Sequence, residues 1–194
     1  MPEGRKENKN ALRSKRMIRE AFLQLIQEKE LSKVTVTDIV NRADVNRSTF
    51  YAHYPDIYGV IESFEDDVIE KMLTILSEFK YRNFFQNPLP LLLRVNRYLE
   101  EDMELYRILI TQAGSSSIFR KMSRAFIDYM EKDSDVPEKI KSSAAFEIRI
   151  RFFASGILGL YENWFLGNVP GELNDISLEV AKVIKESSSE FLLA

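Results

Sequence analysis

The chain has 194 residues, a formal net charge of −3, 45% hydrophobic residues and 29% charged residues. Such a balance argues against a disordered chain and leaves room for one small and one larger folded unit. Cysteine is absent, which excludes disulfides, thiolate nucleophiles and thiolate metal sites, and the single histidine, His53, cannot form a metal cluster alone.

The opening residues, Met1 to Asn10, are polar and mixed in charge, with no apolar core of a secretion signal. Residues 1–54 carry 11 Lys/Arg against 7 Asp/Glu, a local +4, while residues 55–194 carry 16 against 23, a local −7. A basic head on an acidic body is the distribution expected of a nucleic-acid-binding module joined to a second unit. The basic run Arg5, Lys6, Lys9, Arg13, Lys15, Arg16 and Arg19 is either a solvated face or a grip on a phosphate backbone.

Helical spacing recurs throughout and no strand-like alternation persists. Leu12, Ile18, Ala21, Phe22, Leu25 and Ile26 form the first apolar stripe. Thr35 and Asp38 stand in capping-box spacing ahead of a short helix that buries Ile39, Val40 and Ala43. Asp44-Val45-Asn46 breaks the pattern, and a second short helix from Arg47 to His53 turns Phe50 inward. Pro55 ends it, since proline lacks the next donor and restrains Tyr54.

A long helix begins near Asp56 and keeps its spacing from Ile57 to Phe79. Asn87-Pro88 predicts the next start, Gly114 to Ser117 a further break and cap, and Asp133 to Asp135 another. Pro137 opens the following segment. A very apolar helix runs to about Leu166, interrupted by Glu162 and Asn163, and so falls short of the ~20 apolar residues of a membrane span. Gly167-Asn168 stops it, and a last amphipathic helix uses Ile176, Val180, Val183, Ile184 and Phe191. The expected fold is all-α with about nine helices. A head over residues 1–56 holds three of them, and a larger helical unit spans 57–194.

The head carries the functional signal. Two short helices joined by a three-residue turn after a basic helix predict a helix-turn-helix. Ala43 is small enough for a close helix crossing, and Val45 is expected to plug the turn. Asn46 can cap the second helix and leave its first amides facing phosphate. Arg47, Ser48 and Thr49 then occupy the end that a recognition helix inserts into the major groove. Tyr51, His53 and Tyr54 offer donors to the sugar-phosphate backbone.

From Thr35 through Tyr54, the run Thr-Val-Thr-Asp-Ile-Val-Asn-Arg-Ala-Asp-Val-Asn-Arg-Ser-Thr-Phe-Tyr-Ala-His-Tyr resembles the DNA-binding signature of the TetR/AcrR regulators. The Thr-Phe-Tyr-x-His-Tyr ending is its most distinctive part, and the likeness covers residues 9–64. The resemblance implies a homodimer whose recognition helices enter successive major grooves of a pseudo-palindromic operator. It also implies an effector pocket in the helical unit and an interface built from the last two long helices. Carried over by position, Arg47 and Ser48 are base-reading candidates, with Thr37, Thr49, Tyr51 and His53 on phosphate. Arg47 can pair with guanine through two hydrogen bonds. Two positions depart from the pattern: Asp44 stands where the family usually has glycine, and Ile57 replaces a common phosphate-binding lysine.

In the helical unit, Tyr98, Met103, Tyr106, Phe119, Phe126 and Phe152 are pocket candidates for an apolar or aromatic effector, or ordinary core. Met130 and Trp164 share that ambiguity. Gly156 and Gly159, with Leu160, Trp164, Val180 and Ile184, are candidates for a dimer interface, the glycines permitting either contact across a dimer or internal packing. Arg149 and Arg151 could meet an anionic ligand or lie on the surface.

A cytosolic, ligand-responsive repressor is the leading expectation, with an activator or a protein-tuned regulator as variants and no cofactor, metal site or membrane partner. A non-DNA-binding interaction protein that retains the head is the alternative. No paired carboxylates, phosphate loop or metal-ligand spacing points to an enzyme.

Overall fold

The computed structural model describes residues 9–79, 81–113, 116–133 and 136–187, and no strand occurs among them. Eleven α-helices follow in order among the described residues. They are α1 (Lys9–Glu28), α2 (Val36–Arg42), α3 (Arg47–His53), α4 (Ile57–Ser77), α5 (Tyr81–Gln86), α6 (Leu89–Glu101), α7 (Met103–Ala113), α8 (Ser116–Lys132), α9 (Glu138–Lys141), α10 (Ala144–Phe165) and α11 (Leu173–Ser187). Periodicity suggested about nine. The short α5 carries no signal of its own. The run after Pro88 is also split at Asp102, whose φ of −139° and ψ of 41° leave the helical region. Arg5, Lys6, Gly114, Ser115, Ser134, Asp135 and Phe191 lie outside the described residues.

The chain divides into two compact units, Met1–Glu65 and Asp66–Ala194. In the first, local chemistry sets the helix ends. The Thr35 hydroxyl accepts from the Asp38 amide at 3.1 Å while the Asp38 carboxylate accepts from the Thr35 amide at 2.8 Å, closing a capping box. Lys29 Nζ also donates to that carboxylate at 2.8 Å. With Lys29 first and the Thr35 donors second, the Asp38 carboxyl is held down to about 2.

Asp44 takes φ 51°, alone among the described non-glycine residues in a positive φ. Its short polar side chain tolerates the left-handed turn that the sequence demands there. Ala43 is buried at the crossing, whereas Val45 is only half-buried and plugs the turn less fully than expected. Gly59 is needed for closeness: a Cβ there would stand 2.7 Å from Pro55 Cδ. Ile18, Phe22, Ile39, Phe50 and Val60 are fully enclosed. Phe22 stacks on Phe64 at 5.9 Å, and the Arg19 guanidinium covers the Phe64 ring at 3.8 Å while donating to Ser63 Oγ at 2.8 Å.

In the second unit, α10 packs on α7, α8 and α11, and α11 packs on α5 and α6. Ser143 caps α10 by accepting from the Phe146 amide. Its other end closes as a Schellman motif: Asn168 N–H donates to Asn163 O and Gly167 N–H to Trp164 O, with Gly167 at φ 78°. Among the described residues no helix is long and apolar enough to cross a membrane.

Candidate functional site

The two short helices present most of the expected DNA-facing residues on one unit, but with different availability. Asn46 caps α3, its Oδ1 accepting from the Thr49 amide at 2.7 Å. The same oxygen also accepts from Ser48 Oγ at 2.7 Å and Thr49 Oγ1 at 2.8 Å. Each hydroxyl has one proton, so Ser48 and Thr49 have committed theirs to the cap and must turn before donating to DNA. Arg47 is exposed, and its Nη2 donates to Thr37 Oγ1 at 2.6 Å, which joins a base-reading and a phosphate candidate from neighbouring helices. Tyr51 is 53% exposed, with its ring edge against Phe50.

His53 and Tyr54 are placed differently. The Ser14 hydroxyl points to the carbonyls of Asn10 and Ala11 at 3.0 and 3.1 Å. Ser14 Oγ and His53 Nε2 meet at 2.7 Å in a hydrogen bond that ties α3 to α1 and engages that nitrogen within the head. Tyr54 is a correction. It is 4% exposed, packs beside Phe50 and His53, and its buried hydroxyl finds no partner among the described residues. Its ring belongs to the head's core and does not face a sugar-phosphate backbone. Of the basic run, Arg16 pairs with Glu20 at 3.5 Å and Arg19 is turned onto Phe64, while Lys9 and Arg13 are exposed.

The helical unit contains a cavity, and the sequence candidates meet it unevenly. Tyr106, Phe119 and Phe126 line it; Tyr98, Met103 and Phe152 do not. Tyr98 lies beside Tyr106, with ring centres 5.8 Å apart. Burial, above all, pushes both phenols upward. Met103 packs on the core, and Phe152 is 69% exposed on the outer face of α10. That exposure rules Phe152 out of a pocket within this chain.

The interface candidates also divide. A Cβ on Gly156 or Gly159 would meet nothing within 4 Å, so neither glycine serves close packing among the described residues. Leu160 and Trp164 are half-buried against the unit's own core, with Trp164 Nε1 donating to Gly171 O at 2.9 Å. Val180 and Ile184 are enclosed within the unit, which takes their side chains out of an interface. On these last two long helices the large apolar residues that are exposed are instead Ile148, Phe152 and Leu166 on or just past α10, and Leu178 and Val183 on α11. Arg151 pairs with Glu147 on the exposed surface.

A buried polar ring was not anticipated. Asn96 Nδ2 donates to Ser177 Oγ at 2.8 Å, Ser177 and Tyr161 hydroxyls meet at 2.8 Å, and Tyr161 donates to Asn96 Oδ1 at 3.0 Å. The three bonds close when Ser177 donates to Tyr161. Asn96 Nδ2 also reaches Asn174 Oδ1 at 2.9 Å and Leu173 O at 3.2 Å. Burial, only partly offset by Ser177, raises the Tyr161 phenol to about 12. The signal was present: Asn96 follows Leu92 by four and precedes Leu99 by three, and Ser177 sits likewise between Leu173 and Val180. Both occupy core-phase positions of amphipathic helices.

Comparison with known proteins agrees with this geometry. Residues 18–63 match the family model for bacterial regulatory proteins of the tetR family, and residues 86–186, about half the chain, match a transcriptional regulator C-terminal region of the same family. An HTH-type transcriptional regulator of Bacillus subtilis, YxbF, is 34% identical over 55 residues, which span 28% of this chain but only 13% of that protein. Among solved structures, a TetR-family regulator from Syntrophomonas wolfei superposes with a TM-score of 0.70 at 14% identity, covering 93% of this chain and 96% of that one. A TetR regulator from Streptococcus agalactiae gives 0.58 at 19% identity, covering 90% and 95%. The dihydroxyacetone kinase operon activator DhaS gives 0.59 at 17% identity, with the same coverage. At these identities the structural likeness speaks for the fold alone.

Proposed function

The chain belongs to the TetR family, which comprises transcription regulators and not enzymes, and from that premise we propose that it is a cytoplasmic repressor. It would bind a pseudo-palindromic operator as a homodimer and release it when a small molecule occupies the helical unit. The carrying observation is the exposed Arg47 at the start of α3, joined to Thr37 on α2. A guanidinium there supports a reading in which it pairs with guanine in the major groove while amides and hydroxyls around it meet phosphates.

The homodimer reading is supported by the outer face of α10. Ile148, Phe152, Gly156, Gly159 and Leu166 fall on one side of the helical register, and the two glycines leave open space beside an apolar strip. Gly in mid-helix is unfavourable by about 0.5–1 kcal/mol relative to Ala. Close approach by a second copy supplies a reason to keep it. Two heads then address half-sites about 34–36 Å apart, and an effector acts by favouring a dimer that no longer matches them.

The test is selection of bound genomic fragments by the full-length protein, then titration of the enriched site across salt concentrations, with particle mass measured on the complex. The expected outcome is a palindromic site bound by two copies, affinity falling steeply with salt, and a loss of about 10- to 100-fold in Arg47→Ala. No enriched site, or binding indifferent to Arg47, overturns the reading in favour of an interaction protein.

A further inference from the structure

The helical unit holds a cavity of about 130 Å3 walled by α4, α5, α6, α7, α8 and α10. Met72, Phe84, Val95, Met122, Phe126 and Ile157 typify its wall. Among the described residues, no lining side chain carries a charge, an amide or an aliphatic hydroxyl. Among the described residues, the hydroxyls at its wall are those of Tyr106, whose ring lies 5.8 Å from that of Tyr98, and Tyr161, which is hydrogen-bonded to Asn96 and Ser177. The Tyr161 hydroxyl therefore has its hydrogen bonds without an occupant.

We propose that the effector this cavity takes is a small uncharged apolar molecule about the bulk of one aromatic ring. The inference rests on the regulator reading for the word effector, but not for the chemistry of the site. An ionised group placed here would give up its hydration with no counter-charge among the described lining residues to replace it. A long acyl chain exceeds the space. Apolar cavities of about 150 Å3 stay dry and accept benzene, which sets the scale of the occupant. A void in a close-packed interior also deprives its lining atoms of dispersion partners, and an apolar occupant restores them without adding a polar group. The Phe84 and Phe126 rings lie 5.5 Å apart and tilted, and the Met72 and Met122 thioethers adapt their shape to an aromatic guest.

The experiment uses the full-length protein, with toluene as the neutral probe and benzoate as an anion of similar size. Toluene at about ten times its Kd raises Tm by about 2–5 °C, and benzoate at the same free concentration leaves it unchanged. Ala154→Leu and Ala125→Leu each grow a side chain into the cavity and abolish the toluene shift, with helicity checked by circular dichroism so that a folded variant is available. Toluene further changes operator affinity at least about fivefold. Absence of a toluene shift, an equal shift from benzoate, or a toluene shift that survives in a folded filled variant overturns the site chemistry. Toluene binding that leaves operator affinity unaltered overturns the effector role. Because toluene binding is read without DNA, failure of the operator selection leaves the cavity result standing and is distinguishable from it.

Discussion

The caps that open α2 and α3 in the head and the buried polar ring of the helical unit close over very different sequence distances. In the head, the bonds that shape α2 and α3 close over two or three residues: Thr35 with Asp38, and Asn46 with Ser48 and Thr49. In the helical unit, the ring of Asn96, Tyr161 and Ser177 joins residues 16, 65 and 81 positions apart. The first kind of bond forms as soon as the local backbone turns. The second exists only when α6, α10 and α11 have packed. A short-range cap therefore tolerates a fault locally, whereas a long-range buried ring spreads it through the core.

The largest effect should come from breaking the ring. Asn96→Ala leaves two buried hydroxyls short of partners and opens a small void, and is expected to cost about 2–4 kcal/mol in denaturant unfolding. Replacing all three members together, Asn96→Leu with Tyr161→Phe and Ser177→Ala, removes donors and acceptors at once. It should cost less than Asn96→Ala alone, so the mutant cycle should be strongly non-additive. Additive losses would mean that the three side chains act independently.

pH separates the units next. Asp38 is lowered to about 2 in the folded head, so its contribution is complete above the ordinary carboxylate range and is lost as pH falls from about 4 toward 2. Tyr161 is raised to about 12, so its contribution is complete below about pH 10 and is lost as pH rises from there toward 12. Acid titration of Asp38→Asn against the parent chain should flatten the acid limb only. Tyr161→Phe should flatten the alkaline limb only. A variant that altered the opposite limb would show that the group has been placed in the wrong ionisation scheme.

The smallest effect is in the head. Tyr54→Phe removes a buried hydroxyl that has no partner among the described residues, and should leave stability unchanged or raise it by up to about 1 kcal/mol. Operator affinity should stay within twofold. A clear loss of affinity without a loss of stability would return Tyr54 to the DNA-facing set.

Much of the head was legible because its rules are local. The capping box, the Asn46 cap, the stop at Pro55 and the left-handed Asp44 each depend on a few consecutive residues whose backbone preferences can be read directly. What could not be read was which polar side chains the head would use on itself. Tyr54 and Phe50 are both aromatic residues of one short segment, and only the crossing of α3 with its neighbours decides that both go inside. The same holds for His53, whose partner Ser14 lies 39 positions away.

By itself, the sequence determined the all-helical class, the helix-turn-helix and its family, since periodicity, caps and a dense motif survive any arrangement of the remainder. Tertiary structure alone decided which apolar residues enclose the cavity, which face outward, and which polar residues close a ring. Phe126 and Phe152 are chemically identical, yet one lines the cavity and the other is 69% exposed. Burial is a property of the packed helices around a residue. One chain's order of side chains sets the stripe on each helix, but the neighbour that covers the stripe comes from residues far away in sequence.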